Sequence, residues 1–86
     1  MRDNFVAKRL KVNGIVQGVG FRPFVFQLAE KFSLKGEVAN TSSGVSIHIE
    51  GLPENVAAFE KELSENSPPL AYIIEISSKT EAVKNH

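Results

Sequence analysis

Hydrophobic and polar positions alternate loosely near the start of the chain. Val6, Leu10 and Val12 fall on one side, Arg9, Lys11 and Asn13 on the other, and Lys8 is the misfit. This period of two predicts a half-buried β-strand over Val6 to Val12. From about Arg22 to Phe32 the period changes: Phe21, Val25, Leu28 and Phe32 recur at helical spacing. Pro23 suits the first turn of that helix, where a missing N–H is harmless, and Gly36 lies just past its end, as a helix exit often requires. A second strand is predicted over Gly36 to Thr41, and Thr41-Ser42-Ser43-Gly44 has the chemistry of a tight hairpin connection. Val45, Ile47 and Ile49 then alternate with Ser46, His48 and Glu50 in the cleanest strand pattern of the chain. The alternation assigns His48 and Glu50 to the outward, solvated side. Gly51-Leu52-Pro53 turns into a second helix over about Pro53 to Glu65. Its inner stripe is Val56, Phe59 and Leu63, and its wet face carries Glu60, Lys61, Glu62 and Glu65. Asn66-Ser67-Pro68-Pro69 stops this helix, and an Ile-rich strand follows over Leu70 to Ser77.

The order βαββαβ predicts an α+β fold, a ferredoxin-like sandwich in which two helices cover one face of a four-stranded antiparallel sheet. Each strand then needs only one covered face, which accounts for alternation in place of continuous apolar runs. A length of 86 residues fits one domain, 1–86, with an ordered core over about 5–78 and a polar, frayed tail over 79–86. There are no internal repeats.

Composition narrows the chemistry. The absence of cysteine removes disulfides, thiolate catalysis, Cys-ligated zinc and iron–sulfur clusters. Two distant histidines, His48 and His86, make a poor transition-metal site, so no metal and no cofactor are expected. No apolar run approaches the roughly 20 residues of a membrane span, and Met1-Arg2-Asp3-Asn4 does not begin a signal peptide. The expectation is a cytoplasmic monomer without a membrane partner. A formal net charge of zero argues against non-specific nucleic-acid binding, and no exposed aromatic pair on the central strands suggests an RNA-binding sheet. The charge is unevenly spread. Residues 1–36 carry seven basic and two acidic side chains, and the remainder carries three basic and eight acidic. A positive first third can attract an anion, though uneven solvated faces explain it equally well on charge alone.

The segment Gly14 to Arg22 follows a strand and opens a helix. Gly18 and Gly20 let successive N–H groups turn inward, and the helix N-terminus adds unpaired donors and a partial positive charge. Together they can cradle a tetrahedral anion, with the Arg22 fork gripping two of its oxygens. The segment is not a Walker A loop, since no Gly-Lys-Ser/Thr follows, and its glycine spacing is wrong for a dinucleotide fingerprint. On the loop alone a simple turn fits as well as an anion site. Asn40, near the hairpin, can hold a water through its amide, but Asn is more often a plain turn former at such a place.

Two motifs, Gly14-x-Val16-Gln17-Gly18-Val19-x-Phe21-Arg22 and Gly36-x-Val38-x-Asn40-Thr41-x-x-Gly44, resemble the signature motifs of the acylphosphatases. The resemblance spans about Phe5 to Ile76. Arg22-Pro23-Phe24-Val25, Gly44-Val45-x-Ile47 and Pro68-Pro69-Leu70-Ala71 further resemble the N-terminal acylphosphatase-like domain of the hydrogenase-maturation carbamoyltransferases. Glu37 and Ala39 depart from the larger or aromatic residues common there. The resemblance implies a phosphate cradle made by the backbone of Gln17, Gly18, Val19, Gly20, Phe21 and Arg22. It also implies that Arg22 binds the phosphate and Asn40 orients the attacking water. The substrate would be a carboxyl phosphate or carbamoyl phosphate, hydrolysed without metal or covalent intermediate. The chain would then be an excised domain whose partner is the remainder of the carbamoyltransferase. A non-catalytic domain that binds carbamoyl phosphate for that larger enzyme is the alternative.

Overall fold

The computed structural model describes residues 4–16, 20–66 and 72–84. Ten residues, Val6–Ile15, form β1, followed by α1 (Phe21–Lys31), β2 (Lys35–Asn40), β3 (Gly44–Gly51), α2 (Pro53–Glu65) and β4 (Tyr72–Glu81). The strands make one sheet in the order β2-β3-β1-β4, with every pairing antiparallel. This is the predicted α+β sandwich. No described helix is long and apolar enough to cross a membrane.

Both central strands turn one face to the helices. Leu10 and Val12 of β1 pair with Ile47 and Val45 of β3, and all four are buried. Phe21, Val25 and Leu28 of α1 and Val56, Phe59 and Leu63 of α2 close over them. Lys8 belongs to the same face, which is why it breaks the alternation. Its Nζ crosses to Glu60 Oε1 of α2 at 2.9 Å. The same device joins the helices, where Lys31 of α1 meets Glu62 of α2 at 2.9 Å. Two acidic residues assigned to a solvated stripe therefore tie α2 to its neighbours.

The exit of α1 corrects the sequence expectation. The left-handed residue is Ser33 (φ 56), not Gly36. Leu34 N–H donates to Ala29 O at 2.8 Å and Ser33 N–H to Glu30 O at 3.1 Å, the bond pattern of a Schellman cap, with Leu34 buried behind it. Gly36 serves β2 instead, since a Cβ there would lie 1.7 Å from His48 O of β3.

The outer face of the sheet holds the second correction. His48 and Glu50 are 0% and 1% exposed, although alternation assigned both to solvent. β4 continues to Glu81, beyond the end of the apolar alternation at Ser77. Glu81 Oε1 lies 2.5 Å from His48 Nδ1, Glu50 Oε2 lies 2.8 Å from His48 Nε2, and the Lys84 N–H donates to Glu50 Oε2 at 2.5 Å. The chain after Ser77 thus covers a polar cluster in which each buried group has a partner, as burial demands. The start of the predicted last strand, Leu70-Ala71, and the Pro68-Pro69 stop lie outside the described residues.

Candidate active site

β1 ends at Ile15, and α1 begins six residues later. Of the predicted cradle, Gln17, Gly18 and Val19 lie outside the described residues. Gly20, Phe21 and Arg22 are described and form the entry to α1. Gly20 is the N-cap at φ 82, ψ 12, a left-handed conformation that costs an L-residue roughly 1–2 kcal/mol and glycine almost nothing. No atom lies within 4 Å of where its Cβ would be, so backbone conformation, and not space, requires glycine here.

The helix that follows has no side-chain cap and no acidic residue in its first turn. Its first N–H groups have no intrahelical acceptor, and the helix dipole leaves partial positive charge there. Phe21 is 1% exposed and packs its ring 6.0 Å from that of Phe24, so only its backbone can face a ligand. Arg22, one residue on, is exposed, and among the described residues its guanidinium makes no ion pair. An uncapped N-terminus with a cation beside it attracts an anion, and neither feature is neutralised from within the described fold.

Register places Asn40. It pairs with Val45 of β3, whose side chain is buried under the helices, so Asn40 shares the helix-side face of the sheet. Val45 in turn pairs with Val12 of β1, three residues before the strand ends. Asn40 therefore stands at the same end and on the same face as the start of α1. Its side chain is exposed and its amide makes no hydrogen bond among the described residues, which leaves both its donor and acceptor atoms for water or ligand.

The hairpin after Asn40 is latched to the end of β1. Thr41 N–H donates to Gly44 O at 2.8 Å, and Gly14 N–H donates to Ser43 O at 2.9 Å. Ser43 Oγ donates to Asn13 Oδ1 at 2.9 Å. Gly44 sits so close to β1 that a Cβ would meet Val12 O at 1.8 Å. These contacts fix the Asn40 segment relative to the strand that leads into the loop. Asn13 and Ser43 carried no sequence signal, because the hydrogen bond joins residues 30 positions apart. Among the described residues no cluster of three or more His, Cys, Asp or Glu side chains is arranged to hold a metal ion.

Comparison with known proteins is consistent with this geometry. A carbamoyltransferase relative, the probable carbamoyltransferase HypF of Methanocaldococcus jannaschii, is 52% identical over 65 residues, which is 76% of this chain and 8% of that protein. An acylphosphatase of Pseudothermotoga lettingae is 40% identical over 77 residues, 88% of this chain and 85% of that protein. The crystal structure of full-length HypF in its phosphate- and nucleotide-bound form superposes with a TM-score of 0.93 at 48% identity, covering 95% of this chain and 11% of that one. The chain thus spans about a tenth or less of the carbamoyltransferases it matches and most of a free acylphosphatase. The acylphosphatase family profile matches residues 8–86, nearly the whole length, and the chain belongs to the acylphosphatase family.

Proposed function

We propose that this chain hydrolyses acyl phosphates at the junction of β1 and α1. The observation that carries the reading is that Arg22 stands in the first turn of a helix without a side-chain cap, and Asn40 lies at that same end and on that same face of the sheet. The backbone N–H groups of residues 17–22 and the Arg22 guanidinium bind the phosphoryl oxygens. Asn40 accepts a hydrogen bond from a water and aims its lone pair at phosphorus. The new P–O bond forms in line with the bond to the acyl oxygen, which breaks and releases a carboxylate. The water's protons pass to the phosphate and to solvent. Phosphoryl transfer draws chiefly on positioning and charge stabilisation, and an activated anhydride has a good leaving group. Backbone donors, one arginine and one amide therefore suffice without a general base.

Carbamoyl phosphate is the proposed natural substrate, and the chain is the N-terminal domain of a hydrogenase-maturation carbamoyltransferase. The 52% identity to a HypF relative supports this origin. The test is hydrolysis of benzoyl phosphate, followed optically without added metal, by the wild type and Arg22→Ala. Turnover in the wild type that falls by roughly 10²–10³-fold in the variant is expected. Full activity in Arg22→Ala would remove the site from this junction. An inactive but folded wild type would favour a second reading, a non-catalytic domain that binds carbamoyl phosphate for a longer enzyme. The likeness to a carbamoyltransferase relative is compatible with that role as well, and titration with carbamoyl phosphate and inorganic phosphate would measure it.

A further inference from the structure

We propose that the outer face of the sheet carries a second anion site, built on Arg9, Lys11 and Lys79, that takes a small molecule bearing a diphosphate group. Arg9 lies directly opposite Lys79 across the β1–β4 ladder, and Lys11 pairs with Ser77 in the adjacent row. A depression of about 230 Å³ opens among them. Like charges opposite one another on neighbouring strands repel, and a bound anion relieves that repulsion.

The arginine is held in place before any ligand arrives. Its Nε donates to Glu81 Oε2 at 3.2 Å and its Nη1 to Ser46 Oγ at 3.0 Å. The other oxygen of Glu81 meets His48 Nδ1, and His48 Nε2 meets Glu50. His48 and Glu50 are buried, so the chain of polar groups behind Arg9 is anchored in the fold. A guanidinium held at Nε and Nη1 still presents its remaining N–H groups, and fixing it beforehand removes much of the ordering cost of binding. Lys11 and Lys79 are exposed and their flexible stems can close on the ligand from either side.

Spacing selects the ligand. Arg9 and Lys11 are two residues apart on one strand, roughly 7 Å along it. That span exceeds one phosphate group and suits two linked ones. Glu75, opposite Asn13 at one end, and Glu37, opposite His48 on β2, flank the cationic patch with negative charge. A compact anion fits between them, whereas a long polyanion would run onto both carboxylates. The site is on the opposite face from Asn40, so it is separate from the junction assigned to hydrolysis and does not depend on that assignment.

The test is a pyrophosphate titration of the full chain carrying Arg22→Ala, followed by amide chemical shifts at constant ionic strength. Saturable shifts at residues 9–11 and 77–79 are expected, with affinity at least tenfold above that for inorganic phosphate. Lys11→Gln/Lys79→Gln, which keeps most of each side chain on an exposed surface, should lose that affinity at least tenfold while its spectrum remains folded. Shifts that do not saturate, shifts confined to other regions, equal affinity for phosphate, or unchanged binding by the double variant would overturn the proposal.

Discussion

The roles proposed for Arg22 and Asn40 differ, and substitutions should separate them. Arg22→Lys keeps the charge but loses the planar fork, so phosphate affinity should fall even though the cation remains. Arg22→Ala should reduce kcat by roughly 10²–10³-fold, the usual loss for one charge-stabilising donor. Asn40→Ala should lower kcat by roughly 10²-fold while the phosphate Kd stays within a few-fold, because a misplaced water slows the reaction without weakening the cradle. Steady-state kinetics with benzoyl phosphate and a phosphate titration check all three. Ser33 makes a prediction about stability alone. It holds φ 56 at the exit of α1, where a side chain is unfavourable. Ser33→Gly should therefore raise the unfolding free energy by about 0.5 kcal/mol, the gain in the left-handed conformation less the extra freedom of glycine in the unfolded chain. A urea melt measures this.

Strand pairing sets the next level of constraint. The β2–β3 hairpin is pressed against β1 at Gly44, whose Cβ would have to share space with Val12 O. Gly44→Ala should cost about 2–4 kcal/mol, because the neighbour is backbone and cannot swing away. Its residual activity should fall further than its stability explains, since the hairpin carries Asn40. At the other edge, β4 pairs with β1 along its length, and the Glu81 side chain adds contacts to Arg9 and His48. The hydrogen bond from His48 and the nearby Arg9 hold the Glu81 carboxyl below its ordinary value of 4.5. A carboxylate lowered in the folded state contributes stability above its unfolded value, and loses it as pH falls through the lower folded one. The urea midpoint should accordingly drop on acidification below about pH 4.5, and Glu81→Gln should flatten that part of the profile. A wild-type midpoint constant down to pH 3 would show that the ionised Glu81 carboxyl adds nothing to stability.

The whole molecule rests on a small core. A domain of 86 residues has an unfolding free energy of roughly 4–13 kcal/mol. Phe59 is fully buried where α2 meets the sheet, and Phe59→Ala should cost about 3–5 kcal/mol, enough to leave much of the population unfolded at 37 °C. Far-ultraviolet circular dichroism would show it. The same economy explains the ion pairs from Lys8 and Lys31 to α2. Each exposed or half-exposed pair contributes about 1 kcal/mol or less, and each ties α2 to a neighbouring element beside its buried apolar stripe.

Periodicity alone was enough to place both helices to within a residue, the order of the four strands and the buried stripe Val56, Phe59 and Leu63. Helix and strand repeats are local, and one covered sheet face writes a simple alternation. Glycine spacing and Arg22 marked the entry to α1 as the place for the proposed anion site, because such a cradle is built from consecutive residues. The burial of His48 and Glu50 was not legible. Alternation says which face a residue occupies but not what later crosses that face, and here the cover is Glu81 and the backbone of Lys84, more than thirty residues away. The residue at the exit of α1 was misassigned for a related reason. Gly36 is required by the approach of β3, a partner in space, while the helix ends on a serine that the buried Leu34 holds in place. The placement of Asn40 at the same end and on the same face as the start of α1 was likewise decided by tertiary structure, through the β2-β3-β1 register.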